Sequence, residues 1–115
     1  MDIQIFGTKK CANTRKAQRF FTERRVRIHF VDVAQRAAAR GELQRFAQKF
    51  GVDALVDRDS RRFRDLGLAT AHLADERWLM KLVDEPMLLR TPLVRSGNLL
   101  AVGLAPQTWE AMLAD

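Results

Sequence analysis

The eleven residues from Gly7 to Ala17 (GTKKCANTRKA) contain the only cysteine in the chain, Cys11. They lie between a short apolar stretch and an amphipathic one, so Cys11 is predicted to stand in a loop that leads into a helix. Unpaired N–H groups and the helix dipole at such a position stabilise a thiolate and lower the pKa of the thiol. Nearby cations act in the same direction, and four lie close in sequence: Lys9, Lys10, Arg15 and Lys16.

Thr14 and Arg15, which follow Cys11 in the sequence, favour a binding role for the same loop. Thr14 is placed to offer its hydroxyl to the sulfur or to a bound oxyanion, and Arg15 is a fork-shaped donor suited to a tetrahedral anion. The alternative is that Cys11 is a small buried apolar side chain, as most cysteines are. The three residues before it are polar, which favours a reactive thiol.

Composition limits the class of protein. With 115 residues, 47% of them hydrophobic and 30% charged, the chain is expected to form one globular domain. No apolar run is long enough to span a membrane, and the start does not resemble a signal peptide. A single cysteine cannot form an internal disulfide, so a cytoplasmic protein is expected. His29 and His72 belong to no spaced motif, and no metal site is predicted.

The net charge of +6 is concentrated at one end of the chain. Residues 1–27 contain eight basic and two acidic residues, whereas residues 28–115 contain twelve of each. A general nucleic-acid binder is expected to carry a broader basic surface. The distribution therefore favours a local anion site around Cys11 over binding to nucleic acid.

The first third of the chain predicts a strand–helix–strand unit. Residues 2–6 alternate as in a strand, residues 12–23 have apolar residues at helical spacing, and residues 27–33 form a second strand. Connections of this kind are nearly always right-handed and join parallel strands.

The remainder predicts helices followed by a hairpin and a last helix. Residues 40–50 have the clearest helical pattern, which Gly51 ends. Short helices are predicted within residues 53–85, one of them capped by Asp75 and ended before Pro86. Residues 91–95 and 99–103 form strands joined by Ser96-Gly97-Asn98, and Pro106 opens a helix over 107–114.

This order of elements, together with several motifs, resembles the ArsC/Spx family, which comprises glutaredoxin-type arsenate reductases and their relatives. The matching segments are Gly7-x-x-x-Cys11-x-x-Thr14-Arg15-Lys16-Ala17, Arg61–Leu68, Leu89-Arg90-Thr91-Pro92-Leu93-Val94 and Val102-Gly103. The resemblance implies an α/β fold of thioredoxin-like type, βαβ–ββα, in one domain over 1–115. It also implies a helical insertion at about 36–88 between the second and third strands, and a cis peptide bond before Pro92.

The resemblance further implies a mechanism. Cys11 would be the nucleophile, attacking arsenate or a mixed disulfide, and glutathione or another small thiol would resolve the product as cosubstrate. A glutaredoxin-type protein would be the reductant, and no bound cofactor is implied. The oxyanion- or thiol-binding residues would be Lys10, Asn13, Thr14, Arg15, Arg58, Arg90, Thr91 and Pro92.

The sequence also departs from the reductase pattern. Thr91 and Leu104 stand where these reductases have arginines, and Gly7 stands where some have a histidine. The alternative is a regulator resembling Spx, which binds RNA polymerase, with the basic N-terminal segment and the helical middle as its docking surface. Spx proteins of the best-known type, however, have C-x-x-C where this chain has Cys11 and Thr14.

Overall fold

The computed structural model describes residues 2–114 and contains five α-helices and four β-strands among them, besides three short 3-10 helices. In chain order these are β1 (Asp2–Gly7), α1 (Ala12–Glu23), β2 (Arg27–Asp32), α2 (Arg40–Phe50), α3 (Arg61–Asp65), α4 (Asp75–Asp84), β3 (Leu93–Ser96), β4 (Leu99–Val102) and α5 (Pro106–Leu113). The chain divides into two compact units, one formed by the segments up to residue 36 and from residue 91 onward, the other by Ala37–Arg90.

The first unit is built on a four-stranded mixed sheet in the order β2-β1-β3-β4. Strand β1 is parallel to β2, with Gly7 opposite Asp32, and antiparallel to β3, which pairs with β4 as a hairpin. Helix α1 packs on β1 and β2, and α5 packs on β4. The core of this unit comprises Ile3, Ile5, Ala17, Phe21, Val94, Ala101, Trp109 and Met112. The βαβ–ββα order predicted from the sequence is confirmed.

Strand β3 begins at Leu93, two residues later than the sequence pattern predicts. Pro92 has no N–H to donate to a ladder, and its carbonyl instead accepts a hydrogen bond from the N–H of Gly103 at 2.8 Å. Gly97 occupies the hairpin turn with φ of +58°, a backbone conformation that glycine adopts readily. The peptide bond between Thr91 and Pro92 is cis, as the resemblance implies.

The second unit is helical, and its last residues form hydrogen bonds to residues in its middle. The N–H of Arg90 donates to the carbonyl of Leu55 at 2.7 Å. The N–H of Asp57 donates to the carbonyl of Leu88 at 2.8 Å. Helix α2 packs against α4. The predicted bounds of α2 are confirmed, and Gly51 follows it. The buried side chains of this unit include Leu43, Phe46, Leu55, Phe63, Trp78, Leu82 and Leu88.

Helix starts in this unit differ from the prediction in one place. Asp75 was predicted to cap a helix, but the capping residue is Ala74, and Asp75 is the first residue of α4. The carboxylate of Asp75 therefore lies in the first turn, where it interacts favourably with the positive end of the helix dipole. In α3, Ser60 is the cap, and its hydroxyl accepts from the N–H of Phe63 at 3.1 Å.

Candidate active site around Cys11

Cys11 is the N-cap residue of α1, with an extended backbone at φ −80° and ψ 119°. Its N–H donates to the carbonyl of Thr8 at 3.1 Å, and its carbonyl accepts from the N–H of Arg15 at the same distance. An N-cap side chain faces the unpaired N–H groups of the first helical turn. The sulfur therefore has backbone donors available as soon as it loses its proton.

Thr91 approaches the thiol from the other end of the chain. The Cys11 thiol donates to the Thr91 carbonyl oxygen, with 3.5 Å between Sγ and O. Pro92 follows Thr91 through the cis peptide bond and is buried. The hydrogen bond between Pro92 and Gly103 connects this segment to the end of β4. The main chain before Pro92 is thus held beside the sulfur by the sheet.

Thr14 is completely buried, with none of its surface exposed. Among residues 2–114, its hydroxyl oxygen has no hydrogen-bond partner while Cys11 is a neutral thiol. A buried hydroxyl without a partner is costly. Ionisation of Cys11 creates an acceptor for it, because a thiolate accepts hydrogen bonds that a thiol accepts only weakly.

The pKa of the Cys11 thiol is lower than its ordinary value of 9.0, although two effects oppose each other. Partial burial raises the pKa because it disfavours the charged thiolate. Hydrogen bonds from the side chains of Thr14 and Thr91 and from the backbone of Thr14 and Asn13 lower it, and together they prevail. The nucleophilic thiolate therefore forms more readily here than from an ordinary cysteine.

The cations near Cys11 do not act as the sequence suggested. Lys9, Lys10, Arg15 and Lys16 were expected to lower the pKa of the thiol, but the causes of the lowering are hydrogen bonds. All four residues are exposed, and water screens charges in that position. The hydrogen bonds from Thr14, Thr91 and Asn13 are responsible for the lower pKa.

The remaining predicted site residues of the loop take different positions. Lys10 lies in the exposed turn before the helix, and Asn13 is half-buried in its first turn. Arg15 is exposed, and its guanidinium donates to the carbonyl of Lys9 at 2.8 Å. This bond folds the Arg15 side chain back over the loop in which Cys11 lies.

Two further predicted site residues, Arg58 and Arg90, lie in the second unit. The guanidinium of Arg58 pairs with the Asp53 carboxylate at 2.5 Å and lies 5.6 Å from the ring centre of Phe63. Arg90 is exposed, and its N–H forms the bond to Leu55 described above. The structure brings together Cys11, Asn13, Thr14, Thr91 and Pro92 within the first unit. The ion-pair partner of Arg58 is Asp53, which lies in the second unit as well.

Sequence reasoning treated Gly7 only as a departure from the reductase pattern, whereas the structure gives it a steric role. A Cβ atom on Gly7 would lie within 2.5 Å of both Oγ1 and Cγ2 of Thr14. Side chains at position 7 are therefore incompatible with the present position of Thr14. The glycine at the end of β1, seven residues before a threonine in α1, was the only sequence signal of this contact.

Among the residues that the structure describes, neither a cluster of metal ligands nor a membrane-spanning helix is found. Between residues 2 and 114, no three or more His, Cys, Asp or Glu side chains form a group that could hold a metal ion. In the same range no helix is long and apolar enough to cross a membrane.

The fold and the site together define a thioredoxin-like protein with a single cysteine at the start of its first helix. A model of the ArsC family matches residues 6–112, and the chain belongs to this family.

Two relatives and one solved structure illustrate the likeness. An arsenate reductase from Neisseria meningitidis serogroup A is 26% identical, over 97% of this chain and 98% of the relative. The global transcriptional regulator Spx 2 of Oceanobacillus iheyensis is 25% identical, over 90% of this chain and 77% of the relative. The solved structure of the protein YFFB is 25% identical and superposes with a TM-score of 0.88, over 96% of this chain and 98% of that chain.

Proposed function

We propose that this protein is a thiol-dependent reductase in which Cys11 is the nucleophile. The observation that carries the proposal is the N-cap position of Cys11, where the buried Thr14 hydroxyl and the first-turn N–H groups stabilise the thiolate. Membership of the ArsC family and the likeness to an arsenate reductase support this class of activity. The chain has one cysteine, so the second thiol comes from outside, in a reducing compartment such as the cytoplasm.

The preferred substrate is a mixed disulfide of glutathione or a similar small thiol. The Cys11 thiolate attacks the glutathionyl sulfur, the S–S bond breaks, and the substrate sulfur leaves as a thiolate that takes a proton. A second glutathione thiolate then attacks the Cys11–glutathione disulfide. Glutathione disulfide forms, and the Cys11 thiolate is regenerated. The main chain of Thr91, next to the sulfur, is available to bind the extended backbone of such a peptide.

Arsenate is the other candidate substrate. There Cys11 displaces an oxygen ligand of arsenic(V), and attack by glutathione forms a Cys11–glutathione disulfide as arsenic is reduced to arsenic(III). A glutaredoxin-type partner then reduces that disulfide. Thr91 and Leu104 replace two arginines of the reductase pattern, and Leu104 presents an apolar side chain that is 50% exposed. These residues favour an organic disulfide over an oxyanion.

The test compares both substrates on one preparation. Purified protein is given the cysteine–glutathione disulfide with glutathione, or arsenate with glutathione and a glutaredoxin. Consumption of each substrate is followed, with Cys11→Ser as the control. The proposal requires consumption that depends on Cys11, with the disulfide used faster. Turnover of arsenate alone would correct the substrate class, and equal rates with Cys11→Ser would refute a reductase.

A regulator of the Spx kind is the second candidate, and the likeness to Spx 2 favours it. Exposed cations on and after α1, including Arg19, Arg24 and Arg25, would then contribute to a surface for RNA polymerase. Cys11 would respond to oxidation through a sulfenic acid or a mixed disulfide, since Thr14 replaces the second cysteine of a C-x-x-C switch. Co-purification of polymerase subunits, absent with a charge-reversed α1 variant, would support this function.

A further inference from the structure

Gly7 at the end of β1 and Thr14 in the first turn of α1 lie so close together that a side chain at position 7 would collide with Thr14. A Cβ atom built on Gly7 would lie within 2.5 Å of the Oγ1 and Cγ2 atoms of Thr14 and 3.0 Å from its Cβ. Real Cβ atoms are essentially never found below 3.0 Å from such neighbours. The space beside Gly7 is therefore filled by the Thr14 side chain.

The backbone conformation at position 7 does not explain why a glycine stands there. The glycines with positive φ are Gly51, Gly67, Gly97 and Gly103, and Gly7 is not among them. Gly7 lies in regular β structure, so any residue could adopt its dihedral angles. What position 7 requires is the absence of a side chain.

Neither backbone can easily move to make room. Gly7 pairs with Asp32 in the sheet, and its carbonyl accepts from the N–H of Val33 at 2.9 Å. Thr14 lies in the first turn of α1. The next residue, Arg15, donates its N–H to the carbonyl of Cys11, which holds the backbone of this turn in place. A side chain at position 7 would therefore be relieved mainly by rotation of the Thr14 side chain.

We propose that Gly7 is a positioning residue, which acts by leaving the space that keeps the Thr14 hydroxyl directed toward the sulfur of Cys11. The burial of Thr14 and its lack of another partner within residues 2–114 support this role, because a fully buried hydroxyl without a partner is rare and calls for an explanation. Gly7 touches no substrate in this scheme. It activates Cys11 through Thr14, and the inference deepens the proposed reductase function on which it rests.

The experiment measures the pH dependence of Cys11 alkylation by iodoacetamide in the full chain, a readout that needs no substrate. The variants are Gly7→Ala, Thr14→Ala and the double variant, with Gly41→Ala as the matched control. Gly41 has nothing within 4 Å of an added Cβ, so its substitution should leave the profile unchanged. Gly7→Ala should slow alkylation at neutral pH about tenfold, as loss of a hydrogen bond to a charged group does.

The decisive result is the coupling between the two sites. Gly7→Ala should change alkylation in the wild-type background and leave it unchanged in the Thr14→Ala background, because the group it displaces is then gone. An unchanged profile in Gly7→Ala, or the same fold-change in both backgrounds, would overturn the inference. If Gly7→Ala does not fold, the double variant should fold and behave as Thr14→Ala; failure of both to fold would mean that Gly7 serves something other than Thr14. A reductase assay without turnover would refute the proposed function and leave this coupling intact.

Discussion

The sulfur of Cys11 and the carbonyl oxygen of Thr91 lie 3.5 Å apart, although 80 residues separate them in the chain. The contact joins the start of α1 to the segment that enters β3. It gives the neutral thiol an acceptor, while the donors that stabilise the thiolate come from Asn13, Thr14 and the Thr91 side chain. The two protonation states of Cys11 thus have different partners in one site.

Alkylation of Cys11 is expected to reach half of its maximal rate below pH 9.0, the ordinary pKa of a cysteine thiol. The pKa of the thiol is lowered in the folded protein, so the thiolate forms at lower pH than in the unfolded chain. Iodoacetamide kinetics from pH 4 to 10, with the same protein in 6 M urea for comparison, measure both values. Coincident folded and unfolded profiles would contradict the expectation.

Thr14→Val is expected to raise the pKa of Cys11 and to slow alkylation at neutral pH about tenfold. Valine keeps the shape of threonine and removes the hydroxyl that stabilises the thiolate. Thr22→Val is the control, since Thr22 is exposed on the same helix. If the two variants had the same alkylation profile, the Thr14 hydroxyl would have no role at the thiol.

Glu85→Gln is expected to destabilise the second unit at neutral pH but not in strong acid. Two nitrogens of Arg62 donate to the Glu85 carboxylate, the shortest bond being 2.5 Å. This pairing lowers the pKa of Glu85. Its stabilisation is therefore present above the unfolded pKa and is lost as pH falls through the lower folded pKa.

Urea unfolding at pH 7 and pH 2.5 measures this difference. Asp65→Asn is the control because Asp65 meets the largely exposed Arg61 at 3.8 Å, in a pair from which little stability is expected. A loss of stability in Glu85→Gln that was equal at both pH values would indicate a packing defect and not a lost ion pair.

Phe21→Ala is expected to reduce the free energy of unfolding by about 3–5 kcal/mol. Phe21 is completely buried in the core of the first unit, and its ring centre lies 6.2 Å from that of Trp109. Phe50→Ala provides the matched control, since Phe50 is 39% exposed at the end of α2. Equal midpoints for the two variants in thermal unfolding would show that the core has been assigned wrongly.

Local patterns in the sequence were enough to predict most of the fold. The bounds of α1 and α2 agree with the prediction because apolar spacing, Gly51 and the polar loop around Cys11 act within a few residues. The start of β3 and the cap of α4 differ by one or two residues. The start of β3 depends on the hydrogen bond between Gly103 and Pro92. The start of α4 depends on the extended backbone of Ala74.

The sequence by itself determined that this chain has one thiol, and it predicted that the thiol stands at the start of a helix. Only the tertiary structure decided which groups lower the pKa of the thiol. Whether a cation or a hydroxyl stabilises a thiolate depends on burial and distance, and a linear pattern contains neither. Exposure removed Lys9 and Arg15 from that role, whereas burial against Gly7 gave it to Thr14.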